Sequence, residues 1–196
     1  MRQQKTRELH AYWSSRKTGP AAPRRRSLDP KDISRLLPDV FVLESVDGVW
    51  SFRLAGSGVC ERHCMEMKGV PFREIWDPMD QPHVESAIGL VARDGHGCII
   101  TSNAVVREYA VEFETLFLPI SEENGKIERI IGVQTGASRP WPIGATPIGP
   151  HSLMSVGILD GGREADVLAP RAAPADDGVT YRTVRHLRVF EGGLGA

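Results

Sequence analysis

Residues 105–135 constrain this chain more than any other stretch, because they read as two long strands joined at Asn124-Gly125. On the first strand Tyr109, Val111, Phe113, Thr115 and Phe117 share one face, while Glu108, Glu112 and Glu114 share the other. Successive strand residues point to opposite sides, so one side is apolar and the other wet. Asn-Gly between two apolar runs is a strong hairpin signal, since both residues tolerate positive φ. Ile127, Ile130, Ile131 and Val133 then resume a strand. A hairpin of this kind belongs to an antiparallel sheet with one covered face. The rest of the chain must supply the cover, and a small molecule could lie beneath it.

Upstream, residues 3–16 have helical spacing, with Leu9, Tyr12 and Trp13 on one stripe and Gly19-Pro20 as a stop. A helix this short is marginal alone, so the stripe packs on the chain's own sheet or on a second copy. Arg24-Arg25-Arg26 invites a phosphate-binding reading; a solvated surface loop is the commoner outcome for such a charge run. Asp29-Pro30 caps a short helix carrying Ile33, Leu36 and Leu37. Residues 40–43 form a strand, Asp47-Gly48 a second hairpin turn, and Trp50, Phe52 and Leu54 the apolar face of the next strand. A helix over 58–67 gathers Val59, Cys60, His63, Cys64 and Met67 on one side, with Glu61, Arg62 and Glu66 facing away. Residues 83–93 form the clearest helix, with Val84, Ala87, Ile88 and Val91 as its buried stripe, and a third strand begins at Cys98. The strands do not alternate with helices, so the fold class is α+β with an antiparallel sheet.

Residues 138–178 are rich in proline and glycine and read as a linker. Residues 179–190 fit strand and helix equally. The organisation is therefore an N-terminal helical segment and basic loop (1–36), a core domain (37–137), the linker and a C-terminal tail (179–196). The formal net charge of −1 argues against a dedicated nucleic-acid binder. Three cysteines without framework spacing suit a reducing compartment. The charged N-terminus is followed by no apolar run, so neither a signal peptide nor a membrane span is expected, and the expected location is the cytoplasm.

A wider pattern now emerges from Trp13, Arg16, Ala22-Pro23-Arg24, Asp29-Pro30, Leu36-Leu37-Pro38 and Leu54-Ala55-Gly56. Over residues 8–137 it resembles the PAS-like domain family found widely in alphaproteobacteria, whose members often consist of little else. The resemblance implies a five-stranded antiparallel sheet, with helices on one face enclosing a potential pocket. It also implies a sensory or protein-interaction role, often as a homodimer through an N-terminal helix. Leu9, Tyr12 and Trp13 are the residues expected to pair the two copies, and Trp13→Ala is expected to weaken self-association more than it unfolds the core.

Placed by face and by this geometry, His63, Cys64, Met67, Trp76, Ile88, Tyr109, Phe113 and Phe117 are the pocket candidates. The ligand would be an unidentified small molecule, a protein partner could occupy the outer face, and no enzymatic role is expected. An alternative makes Cys60, His63 and Cys64 the ligands of a metal, or His63, His83 or Met67 the axial ligand of a haem, in a redox sensor. No second pair of ligands completes the metal set, and free cysteines are often simply buried. No cofactor is named by the sequence itself.

Overall fold

The computed structural model describes residues 1–19, 21–138, 143–160, 163–168, 181–184 and 187–190. The expected strands are present as β1 (Val40–Val46), β2 (Val49–Ala55), β3 (Gly97–Val106), β4 (Tyr109–Ser121) and β5 (Ile127–Gly136). They lie side by side as β2-β1-β5-β4-β3, and each neighbouring pair is antiparallel. Two further strands, β6 (Ser152–Asp160) and β7 (Arg163–Leu168), extend the β3 edge to make seven. The helices are α1 (Gln4–Ser15), α2 (Ser57–His63) and α3 (Gln81–Asp94).

Turn chemistry sets the hairpins. Asp47 and Gly48 both take positive φ, 53° and 81°, as a tight β1–β2 turn requires. The β4–β5 turn closes at Gly125, whose φ is +80°. Between β3 and β4 the chain turns at Arg107, with φ 53°, and Glu108. That corrects the reading of residues 105–135 as two strands: Val105 belongs to β3, and Glu108 sits in a turn rather than on a wet strand face.

Both faces of the sheet are covered. On the inner face α2, α3 and the short turn Phe72–Ile75 roof a core that includes Phe41, Phe52, Phe72, Trp76, Ile88 and Phe117. The rings of Phe41, Phe52, Phe72 and Phe117 meet with centroids 5.3 to 6.0 Å apart. Gly132 makes this possible, because a Cβ there would come within 2.2 Å of the Phe41 ring.

On the outer face, Leu9 and Trp13 of α1, with Ala22, Ile33 and Leu36, cover Leu116, Leu118, Ile120, Ile131 and Val133. Trp13 Nε1 donates to the Pro119 carbonyl at 2.8 Å. Glu114 is only 5% exposed and accepts hydrogen bonds from the Arg2 and Gln3 backbone amides at 2.7 and 2.9 Å, which ties down the chain entering α1. Glu114 is thus not a solvated carboxylate. Leu9 and Trp13 are likewise not a surface offered to a second copy, since they are buried within the chain. Tyr12 is half-buried, and its hydroxyl accepts from the Asp29 amide at 2.7 Å. The expected dimerisation stripe is consumed by the chain's own sheet.

The reading of 138–178 as an irregular linker also fails for its middle. Residues 143–151 form a strap bonded to Arg62, Val105, Ile75 and Asp77, after which β6 pairs with β3. Leu153 and Val156 drop into the inner core and Leu159 into the outer one, so this strand is held on both faces. Residues 179–190, ambiguous in sequence, contain the two-stranded ribbon of β8 (Tyr181–Val184) and β9 (Leu187–Phe190).

Candidate functional site

A chain of buried polar side chains crosses the inner layer beneath α2. Asp39, at the end of the short turn Leu37–Asp39, accepts from Lys5 of α1 on one oxygen and from Arg62 Nη1 at 2.7 Å on the other. Burial alone would raise the Asp39 pKa, but the hydrogen bonds and charges of Lys5 and Arg62 outweigh it and hold the carboxyl below its ordinary range. Arg62 then reaches across to β5, where its Nε donates to the Gln134 side-chain carbonyl at 3.1 Å and its Nη2 to the backbone carbonyl at 3.0 Å. All three contacts use the planar guanidinium fork.

Gln134 continues the chain to His151. With its carbonyl taken by Arg62, its amide lies 3.5 Å from His151 Nε2, while Ser102 Oγ is 2.9 Å from Nδ1. The arrangement fits a neutral imidazole protonated at Nδ1 and donating to Ser102. His151 is fully buried, and burial, reinforced by the charges of His63 and Arg62, pushes its pKa down to about 3. The His63 ring lies 6.1 Å away, with its own pKa lowered to about 4, chiefly by burial. Among the described residues, the buried atoms His63 Nε2, Trp76 Nε1 and Thr135 Oγ1 have no hydrogen-bond partner. Each unsatisfied buried group costs about 1–3 kcal/mol, so such groups call for an explanation.

This network opens outward into a cleft of about 170 Å³ whose walls include Lys5, Asp39, Arg62, Phe113 and Thr135. Gly58 lines it too, and a Cβ there would lie 2.9 Å from the Pro38 carbonyl, so the start of α2 sits directly on the turn that carries Asp39.

The eight pocket candidates do not enclose one space. Met67, Trp76, Ile88 and Phe117 come together, but as packed members of the inner core. Phe113 belongs to a separate cluster at the β3–β4 end, and its ring meets His151 at 4.9 Å. His63 is beside the polar network, as described. Tyr109 is 45% exposed, and Cys64 is exposed.

The metal alternative fails for a local reason. The helix expected to run to residue 67 ends at His63, because Cys64 adopts the left-handed conformation (φ 51°) and closes it. Cys64 therefore leaves the helical register that Cys60 and His63 keep, and among the described residues no group of three or more His, Cys, Asp or Glu side chains could hold a metal ion. The haem candidates are equally scattered: Met67 is sealed in the core and His83 is exposed on α3. Cys98, near the start of β3, is buried, and burial pushes its thiol pKa up to about 12.

Asp39, Gln134, Ser102 and His151 were not singled out by the sequence reading, and Arg62 was read as facing away. Strand alternation could have found two of them. Ile130 and Gly132 point inward, so Gln134 must as well; Cys98 and Ile100 do the same for Ser102.

An antiparallel sheet ordered β2-β1-β5-β4-β3, with helices packed over its inner face, defines the class as a PAS-type α+β fold. The chain belongs to the PAS domain family, whose family model matches residues 1–135. Solved structures of that fold resemble it remotely. A LOV protein from Rhodobacter sphaeroides is 12% identical, with a TM-score of 0.43 over 58% of this chain and 71% of that one. The PAS domain of a protein from Colwellia psychrerythraea is 16% identical, with a TM-score of 0.40 over 54% of this chain and 94% of that one. No curated protein matches the chain. Among the described residues, no helix is long and apolar enough to cross a membrane.

Proposed function

We propose that this PAS domain is a non-catalytic sensory module in which a small polar ligand occupies the cleft beside Arg62 and alters the hold on α1. Output then passes through another protein. One observation carries the reading: Asp39 is shared between Arg62, which faces the core, and Lys5, which belongs to α1. A ligand that competes for the guanidinium or the carboxylate changes both contacts together. The apolar inner face is filled by its own aromatic side chains, so the polar cleft is the better ligand site.

An NMR titration with small carboxylates, amines and amino acids tests this. At least one compound should shift the amides of Gly58, Thr135 and Gly136 together with those of α1. Shifts confined to the cleft, or no shifts with any compound, would overturn the reading.

A further inference from the structure

Between Arg16 and Arg35 the sequence holds seven basic residues against two acids, in a chain whose net charge is −1. The structure gathers part of this excess into a groove of about 550 Å³, lined by Arg24, Arg25, Arg26, Leu28 and Pro30 on one side and the β4–β5 turn on the other. The groove shares no lining residue with the Arg62 cleft.

Its walls are ordered rather than trailing. Ser121, at the end of β4, donates its amide to the Pro23 carbonyl at 3.0 Å and its hydroxyl to the Ala22 carbonyl at 2.9 Å. Arg24 forms a β-bridge with the same serine. Arg25–Ser27 is a turn of 3-10 helix, closed by the Leu28 amide on the Arg25 carbonyl at 3.2 Å. All three arginines are exposed on this fixed backbone. Arg26 makes one long ion pair with Glu123, at 3.5 Å between largely exposed side chains, a contact of little strength. Glu122 is held by Arg129. Among the described residues no acid pairs with Arg24 or Arg25.

We propose that this groove docks an acidic peptide segment of a partner protein. Guanidinium forks on a rigid backbone receive carboxylates bidentately at little ordering cost, and Leu28 and Pro30 give an apolar floor for the intervening side chains. Glu122 and Glu123 on the opposite wall count against a nucleic-acid duplex, whose phosphates flank its grooves on both sides and would meet them. Glu122 is paired with Arg129 and Glu123 with Arg26, so, among the described residues, the unpaired charge that a peptide carboxylate meets in the groove is that of Arg24 and Arg25. The inference rests on the sensory reading only in taking output to pass through another protein, and it needs no ligand in the Arg62 cleft.

The test is fluorescence anisotropy with a labelled peptide of mixed glutamate, aspartate and leucine, run on the full chain without added ligand. Binding is expected at low salt and should weaken several-fold as salt rises to about 0.3 M. Charge reversal in R24E/R25E should weaken it roughly tenfold or more, while Lys68→Glu, an exposed lysine outside the groove lining, should leave it within about twofold. Absent binding, equal binding by R24E/R25E, or tighter binding of a duplex oligonucleotide or of vesicles containing anionic lipid would each overturn the proposal. A chain that binds the peptide but shows no ligand response at the cleft would sink the sensory reading alone.

Discussion

Arg62 is the residue on which the interior most depends. Its guanidinium satisfies Asp39 and Gln134 at once, and its side chain and that of Asp39 are each only 11% exposed. Removing Arg62 leaves Asp39 with Lys5 alone and takes two donors from the buried Gln134. Arg62→Leu should therefore lower unfolding free energy by about 3–5 kcal/mol, read from urea denaturation. The double variant Asp39→Asn/Arg62→Leu should lose clearly less than the sum of the single losses, and additivity would show that the two side chains do not interact. His151 and His63 make a second prediction at this scale. Burial holds both neutral, with pKa values near 3 and 4, whereas an unfolded histidine titrates near about 6.5. The unfolded chain takes up protons that the folded chain refuses. Their contribution to stability is thus complete above about pH 6.5 and is lost as the pH falls towards 4, by about 1.4 kcal/mol per pH unit for each histidine. His151→Gln should shed one histidine's share of that slope; an unchanged slope would mean that His151 is not buried neutral.

Among the elements, α1 determines whether the sheet has one covered face or two. Its apolar stripe at Leu9 and Trp13 was legible in the sequence, and so was the need for something to pack against it. The target could also have been read. From Leu116 onward the outward positions of β4 are Leu116, Leu118 and Ile120, as apolar as the inward Phe113 and Phe117. A strand apolar on both sides is covered on both sides. The three glutamates drew attention to the wet end of the strand instead, and Glu114 proved to be a buried anchor because the chain entering α1 brings two backbone amides to it. Trp13→Ala should consequently cost about 3–5 kcal/mol in denaturant unfolding and leave the sedimentation coefficient of the folded fraction unchanged. A stable variant with altered self-association would restore the dimer helix that the sequence suggested.

For the molecule as a whole, the succession of strands and helices along the chain and the turns at Asp47-Gly48 and Asn124-Gly125 follow from local pattern, because each is set by period and turn chemistry within a short window, whereas the helical roof over the inner face is what the family resemblance implies. The polar site is different in kind. Lys5, Asp39, Arg62, Gln134 and His151 come from α1, a short turn, α2, β5 and the strap, so no window of sequence contains them together. His151 lies among prolines and glycines that look like linker, and its backbone bonds to Ile75 and Asp77, followed by the pairing of β6 with β3, draw it inward. The central claim is that this network links the cleft to the N-terminal helix. Hydrogen–deuterium exchange of the wild type and Arg62→Leu, compared under conditions where both are folded, tests it most directly. Faster exchange confined to α1 and the strap, with β4 and β5 still protected, is the predicted result; α1 protection indistinguishable from the wild type would contradict it.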